Sequence, residues 1–244
     1  MRTLKLTLAY DGTRFVGWQR QAEGESIQGL LENALAAFEG APVVVHGAGR
    51  TDAGVHAQGQ VASVCLTCGH DTGALARGLN AQLPGDVRVM RVEEVAADFH
   101  ARFSARSKTY RYAICNTPVA SPFERSYVWH LPEPLDLEAM RAAASRLIGT
   151  HDFAAFRSTG GETKDTVRTM TRSEFILGAG LVYEISGDGF LRHMVRAVVG
   201  TLVETGRGRR LPESIDALLA GGGRADAGAT APAQGLFLVR VDYD

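Results

Sequence analysis

The chain has 244 residues, 45% of them apolar and 22% charged, with a formal net charge of −1; these proportions describe an ordinary globular protein of one large or two small domains. No uninterrupted apolar run reaches the roughly 18 residues of a membrane span, and the opening MRTLKLTLAYDGT lacks the apolar region and cleavage site of a secretory leader. Three cysteines, an odd number, make no disulfide framework, so the expectation is a cytoplasmic protein with reduced thiols and no membrane association.

Leu4, Leu6, Leu8 and Tyr10 alternate with Thr3, Lys5, Thr7 and Ala9, the period of a half-buried strand. Ser26 then reads as an N-cap for a helix carrying Ile27, Leu30, Leu31, Ala34, Leu35 and Phe38. Val43–Val45 and Gln60–Cys65 read as strands, Asp71 caps a helix with Leu75, Leu79 and Leu83, and Val87–Val95 reads as a strand. The second half repeats the order. Lys108–Cys115 reads as a strand with Tyr110, Tyr112 and Ile114 on one face, and Asp136 caps a helix that ends at a C′ Gly149. Val167–Leu177 and Leu181–Ser186 form a hairpin, Phe190–Thr205 a helix closed by Gly206, Glu213–Leu219 a short helix and Leu236–Tyr243 a last strand. The chain is therefore predicted to be α+β: two ferredoxin-like βαββαβ halves, residues 1–105 and 106–244, whose antiparallel sheets flank a central cleft. The Gly/Ala-rich stretch 221–235 reads as a surface loop.

The charge is more informative in its distribution than in its sum. Lys5, Lys108 and Lys164 are the lysines among 26 basic residues; the rest are arginines, whose planar fork suits phosphates and stacking on bases. Arginine-rich codon usage is an equally simple source. Arg102, Arg106, Lys108 and Arg111 occur without an intervening acid, and Arg192, Arg196, Arg207, Arg209 and Arg210 are interrupted by Glu204 alone. Acids gather elsewhere, at Glu133, Asp136 and Glu138. A near-neutral protein with segregated basic faces can hold a polyanion.

The segment Gly47–Ala57, GAGRTDAGVHA, packs three glycines around Arg50 and Asp52. Glycine permits unusual backbone angles and close approach, and an aspartate so placed is available as base or nucleophile; the plainer reading is an exposed β-turn. The segment fails the dinucleotide fingerprint, and no Walker lysine follows. Asp52 and His56, with His46 or His100, offer metal donors without a recognised ligand spacing. Cys65-Leu66-Thr67-Cys68 is a single CxxC with no second pair, better read as packing. Asp11–Gln21 interleaves Phe15 and Trp18 with polar donors, and Tyr110 and Tyr112 lie beside Lys108 and Arg111. Both patterns fit surfaces that hold unstacked bases as well as they fit an anchored loop and a core strand. His151–Arg157 reads as a tight turn with Phe153 and Phe156 in the core. Arg192, His193 and Arg196 occur along an apolar helix; a half-buried arginine wants a carboxylate or phosphate partner, with Asp52 one candidate and a solvated rim the alternative.

Several segments together resemble one family, the tRNA pseudouridine synthase A family. They are YDGTRFVGWQRQ (Tyr10–Gln21), SIQGLLENAL (Ser26–Leu35), GRTDAGVHAQGQV (Gly49–Val61), LNAQLP (Leu79–Pro84) and FHARFSARSKTYRY (Phe99–Tyr112). HDFAAF (His151–Phe156), GFLRHMVRAVVGTL (Gly189–Leu202) and APAQGLFLVRVDY (Ala231–Tyr243) complete the set, in family order over nearly the whole chain. The resemblance implies an isomerase that needs no cofactor or metal, a cytoplasmic homodimer that binds tRNA and converts uridines 38, 39 and 40 of the anticodon stem-loop to pseudouridine. By position it makes Asp52 the catalytic aspartate and Arg50 the arginine of the same motif. It makes Tyr110 the tyrosine that stacks on the target uracil and Arg196 the basic residue that pairs with the aspartate. Arg192 stands where the family often has Tyr or His, and the 207–230 tail is variable. Two rivals are a non-catalytic RNA-binding module, indifferent to Asp52, and a metal-dependent hydrolase built on Asp52 and His56, sensitive to chelators.

Overall fold

In chain order the elements are β1 (Arg2–Tyr10), α1 (Ile27–Glu39), β2 (His46–Gly47), β3 (His56–Leu66), α2 (Thr72–Gln82) and β4 (Val87–Val95). Then come β5 (Ser107–Cys115), β6 (Trp129–His130), α3 (Leu137–Ser145), β7 (Gly149–Asp152), β8 (Val167–Leu177), β9 (Leu181–Gly187), α4 (Met194–Gly206), α5 (Ser214–Leu219) and β10 (Leu236–Asp242). The computed structural model describes residues 1–158, 165–178 and 180–243. The chain forms two compact units, Met1–Arg106 with the stretch from Phe237 onward, and Ser107–Leu236. Both mix sheet and helix, and the fold is α+β.

In the first unit β1 lies between β3 and β4, antiparallel to each. The far edge of β3 is shared: β2 pairs antiparallel at Ala62 and Ser63, and β10 pairs parallel at His56 and Ala57. Leu4, Leu6 and Leu8 are fully buried, as are Ile27 and Leu31 of α1 and Leu75 of α2. Burial of each such side chain contributes about 1.5–3 kcal/mol. Both helix starts are fixed by short acceptor side chains: the Gly29 amide donates to Ser26 Oγ and the Ala74 amide to Asp71 Oδ1.

In the second unit β9 lies between β5 and β8, antiparallel to both, with β7 outside β8 and β6 parallel to β5. Asp136 caps α3 through the Ala139 amide. Met140, Ala144, Leu147, Tyr183, Val198 and Leu202 are fully buried.

Three expectations are corrected. No strand spans Val43–Val45, and the pairing segment is the two-residue β2. The Val45 amide donates to Glu32 Oε1 and its carbonyl accepts from Gln28 Nε2, so α1 side chains satisfy the groups a strand partner would use. Helix α4 begins at Met194 rather than Phe190, because His193 takes φ +60 immediately before it. Gly149 is not the C′ residue of α3, which ends at Ser145; it opens β7 with φ +110. The stretch from Phe237 onward, in the last strand, is part of the first compact unit.

Candidate active site

Asp52 sits at the first position of a turn in which the Val55 amide donates to the Asp52 carbonyl at 3.1 Å, with Gly54 at φ +77. That positive φ at the third turn position favours glycine. The Asp11–Gln21 segment lies against the same turn. The Trp18 amide donates to the Thr51 carbonyl and the Gly54 amide to the Phe15 carbonyl. Gly17 (φ +106) comes so close that a Cβ there would stand 2.4 Å from the Thr51 oxygen, and one at Gly12 would stand 2.0 Å from the Val55 oxygen. Trp18, buried, covers Gly47, where a Cβ would meet the indole at 2.4 Å. Gly12 and Gly17 are thus explained by backbone contact between the two loops, and Gly47 by the indole laid against it.

Beneath the loop runs a buried polar chain. The Tyr10 hydroxyl lies 2.9 Å from Thr51 Oγ1, Gln60 Nε2 donates to the Tyr10 oxygen at 3.3 Å, and the same nitrogen donates to the Gly49 carbonyl at 2.8 Å. These contacts grip Gly49 and Thr51, the neighbours of Arg50 on either side. Burial pushes the Tyr10 phenol up to about 12, against the opposing pull of its Thr51 and Gln60 hydrogen bonds. Neither Thr51 nor Gln60 stood out in the sequence; for Gln60 the available signal was a polar residue directly before the apolar run that starts at Val61. Asp52 is half-buried and Arg50 exposed.

His56, at the end of the turn, is buried and stacked on Phe237 at 4.7 Å. Its Nδ1 accepts from the Gly12 amide at 3.0 Å and lies 3.2 Å from Asp11 Oδ1. The ring therefore ties the Asp11–Gln21 segment to β3. Among the described residues no three His, Cys, Asp or Glu side chains group as metal ligands would.

In the second unit Tyr110 is buried on β5, with Phe190 edge-on to its ring at 4.9 Å and 73°. Arg196, in the first turn of α4, is clasped by Ala231: its Nε donates to the Ala231 carbonyl at 2.7 Å, and the Ala231 amide donates back to the Arg196 carbonyl at 3.0 Å. The adjoining Pro232 carbonyl accepts from the Tyr112 hydroxyl at 2.8 Å. Gly235 leaves room for that phenol, since a Cβ would meet Tyr112 Cζ at 2.6 Å. Tyr112 is consequently a core residue with no exposed ring, which removes it from the base-holding platform considered above. Burial drives its phenol far above the ordinary range, with the Arg196 charge opposing.

Ion pairs also thin the basic clusters. Arg111 and Arg172 both bind the buried Glu184, Arg207 binds Glu133, and Arg210 binds Glu204. Cys65 and Cys68 are unbridged thiols.

A family model described as tRNA pseudouridine synthase matches residues 7–104 and 143–244. The chain belongs to the tRNA pseudouridine synthase family. Enzymes of this family are isomerases. Curated relatives named tRNA pseudouridine synthase A include proteins from Syntrophotalea carbinolica, 48% identical over all of this chain and 97% of its own length, and Geotalea uraniireducens, 46% identical over the whole of both. A relative from Myxococcus xanthus is 48% identical over all of this chain and 92% of its own length.

Proposed function

We propose that the chain isomerises uridine to pseudouridine at positions 38, 39 and 40 of the tRNA anticodon stem-loop, with Asp52 as the catalytic residue. The observation that carries this reading is the fixed turn of Gly49–Val55, which holds Asp52 by main-chain bonds on both sides within a family-matched segment. Tyr110 stacks on the target uracil, and Arg50 and Arg196 bind the substrate. A homodimer in the cytoplasm is part of the same reading.

The chemistry balances without a redox partner. The N1–C1′ bond breaks, the uracil turns, and a C5–C1′ bond forms; C5 gives up its proton and N1 gains one. A paired uridine must first leave its stack, at a cost of a few kcal/mol. Asp52 enters this scheme either as base or as nucleophile at the ribose or the ring. An aromatic ring such as Tyr110 holds the freed base while it turns.

The test follows tritium release from tRNA labelled at uridine C5, in the presence of EDTA, by wild type and by Asp52→Ala, with tRNA binding measured in parallel. Release by wild type together with binding but no release by the variant supports the reading. Tight binding by a wild-type protein that releases no tritium overturns it in favour of a binding module.

A further inference from the structure

Away from the Asp52 turn the first unit carries a ladder of rings on its surface. His46 and His100 lie 4.9 Å apart at 34°, and His100 and Phe103 lie 4.4 Å apart at 35°. The Arg102 guanidinium stands over Phe103 at 5.7 Å. Phe103 is 77% exposed, so its ring contributes little to the core, and its outer face is open. The ladder is rigid at its centre. His100 Nδ1 accepts from the amides of both Arg102 and Phe103, and the Ala101 amide donates to Ser63 Oγ on β3. A nitrogen accepting two amide protons carries no proton of its own, and burial together with the neighbouring His46 holds His100 below its ordinary value. At neutral pH the middle rung is an uncharged π face.

Among the described residues, the guanidinium that stands at the ladder is not taken up by a carboxylate, as several others are. Arg111, Arg146, Arg172, Arg207 and Arg210 are all spent on carboxylates. Among the described residues Arg102 and Arg106, both exposed, join no ion pair. Open aromatic faces beside uncommitted guanidiniums match a nucleotide, whose base stacks and whose phosphate is anionic. A scattered surface phenylalanine would need no explanation; one continuous with two imidazoles and an arginine does.

We propose that the His46–His100–Phe103 ladder with Arg102 is a second RNA contact, on which an unstacked base of the tRNA rests away from the reacting uridine. This rests on the tRNA reading above. His46 pairs with Ser63 on β3, seven residues from His56 at the end of the Asp52 turn, a separation of about 23 Å along a strand. The ladder is therefore an anchor for substrate rather than a party to bond breaking.

The experiment measures binding of full-length tRNA transcript by wild type, Phe103→Ala, Phe103→Leu and Phe103→Trp, with wild-type tritium release and sedimentation run alongside. Alanine and leucine are expected to weaken binding roughly 5- to 100-fold and tryptophan to retain it, because stacking needs a π face and not bulk alone. Arg102→Ala is expected to lower the slope of log Kd against log salt by about one ion. Wild-type affinity in Phe103→Ala, from a preparation whose wild type releases tritium, overturns the ladder and leaves the activity standing. Failure of wild type itself to bind tRNA or release tritium overturns the activity and the ladder with it. A dimer that becomes monomeric on Phe103→Ala overturns the proposal in favour of a contact between copies of the chain.

Discussion

The Tyr10 hydroxyl meets the Thr51 hydroxyl at 2.9 Å directly under the residue that precedes Asp52. One hydroxyl pair thus links the last residue of β1 to the Asp52 turn, and Gln60 extends the link to Gly49. Thr51→Val is expected to keep the fold but loosen the turn. Displacement of a reacting group by an ångström can cost about a hundredfold in rate, so tritium release at saturating tRNA should fall roughly tenfold or more while tRNA affinity changes little. Thr51→Ser, which keeps the hydroxyl, should recover most of the rate. Equal losses in valine and serine variants would remove the hydroxyl from the account.

Gly17 combines close approach with a left-handed backbone in the neighbouring loop. Any side chain there meets both a left-handed φ of +106 and the Thr51 carbonyl at 2.4 Å. Gly17→Ala should lower stability by about 2 kcal/mol or more, read as a shift in urea midpoint. Gly40→Ala, at φ +74 with nothing within 4 Å, isolates the dihedral cost alone. It should lose only about 1 kcal/mol.

Glu184 is the buried end of a three-charge group. Its side chain is 2% exposed, while Arg111 and Arg172 are each about half in solvent. Glu184→Gln leaves both guanidiniums hydrated but removes the charge they share, and should cost about 1–3 kcal/mol. Glu174→Gln, which touches Arg172 from a side chain 51% exposed, should change stability by less than about 0.5 kcal/mol. Thermal melts of the two variants give the comparison.

The tyrosines set an alkaline limit. Burial raises the phenol of Tyr10 to about 12 and those of Tyr112, Tyr183 and Tyr243 further, four of the six tyrosines. The buried phenol resists ionising, whereas in the unfolded chain it ionises near 10.0. Below that pH neither state is charged and nothing changes; above it the unfolded chain releases protons first, and stability falls as pH rises. Ultraviolet titration should therefore show these four tyrosines ionising only as the protein unfolds. Six tyrosines titrating together in folded protein would contradict this.

What could be read from the sequence was what local chemistry decides. Ser26, Asp71 and Asp136 cap helices because each is a short acceptor followed three residues later by a free amide, and β4 and β8 fall on the predicted residues because their apolar patterns are long. Val43–Val45 looked equally strand-like, but Glu32 and Gln28 reach it from a helix more than ten residues earlier. No pattern within the segment carries that. The left-handed His193, an unusual residue for φ +60, hid the true start of α4. At the site, the motif glycines and Asp52 were legible as a group, and family resemblance supplied their roles. The Tyr10–Thr51–Gln60 chain was not legible, because it joins three separate segments.

The shared edge of β3 has a consequence for how the protein is made. Residues 56 and 57 find their β10 partners at Phe237 and Leu238, after the chain has left the first unit at Arg106 and returned. A ribosome adding 5–20 residues per second needs roughly 7 to 26 seconds to cover that distance. For that interval the nascent first unit has a strand edge beside its Asp52 turn whose β10 partner is not yet synthesised, and its completion waits on residues translated well after Arg106.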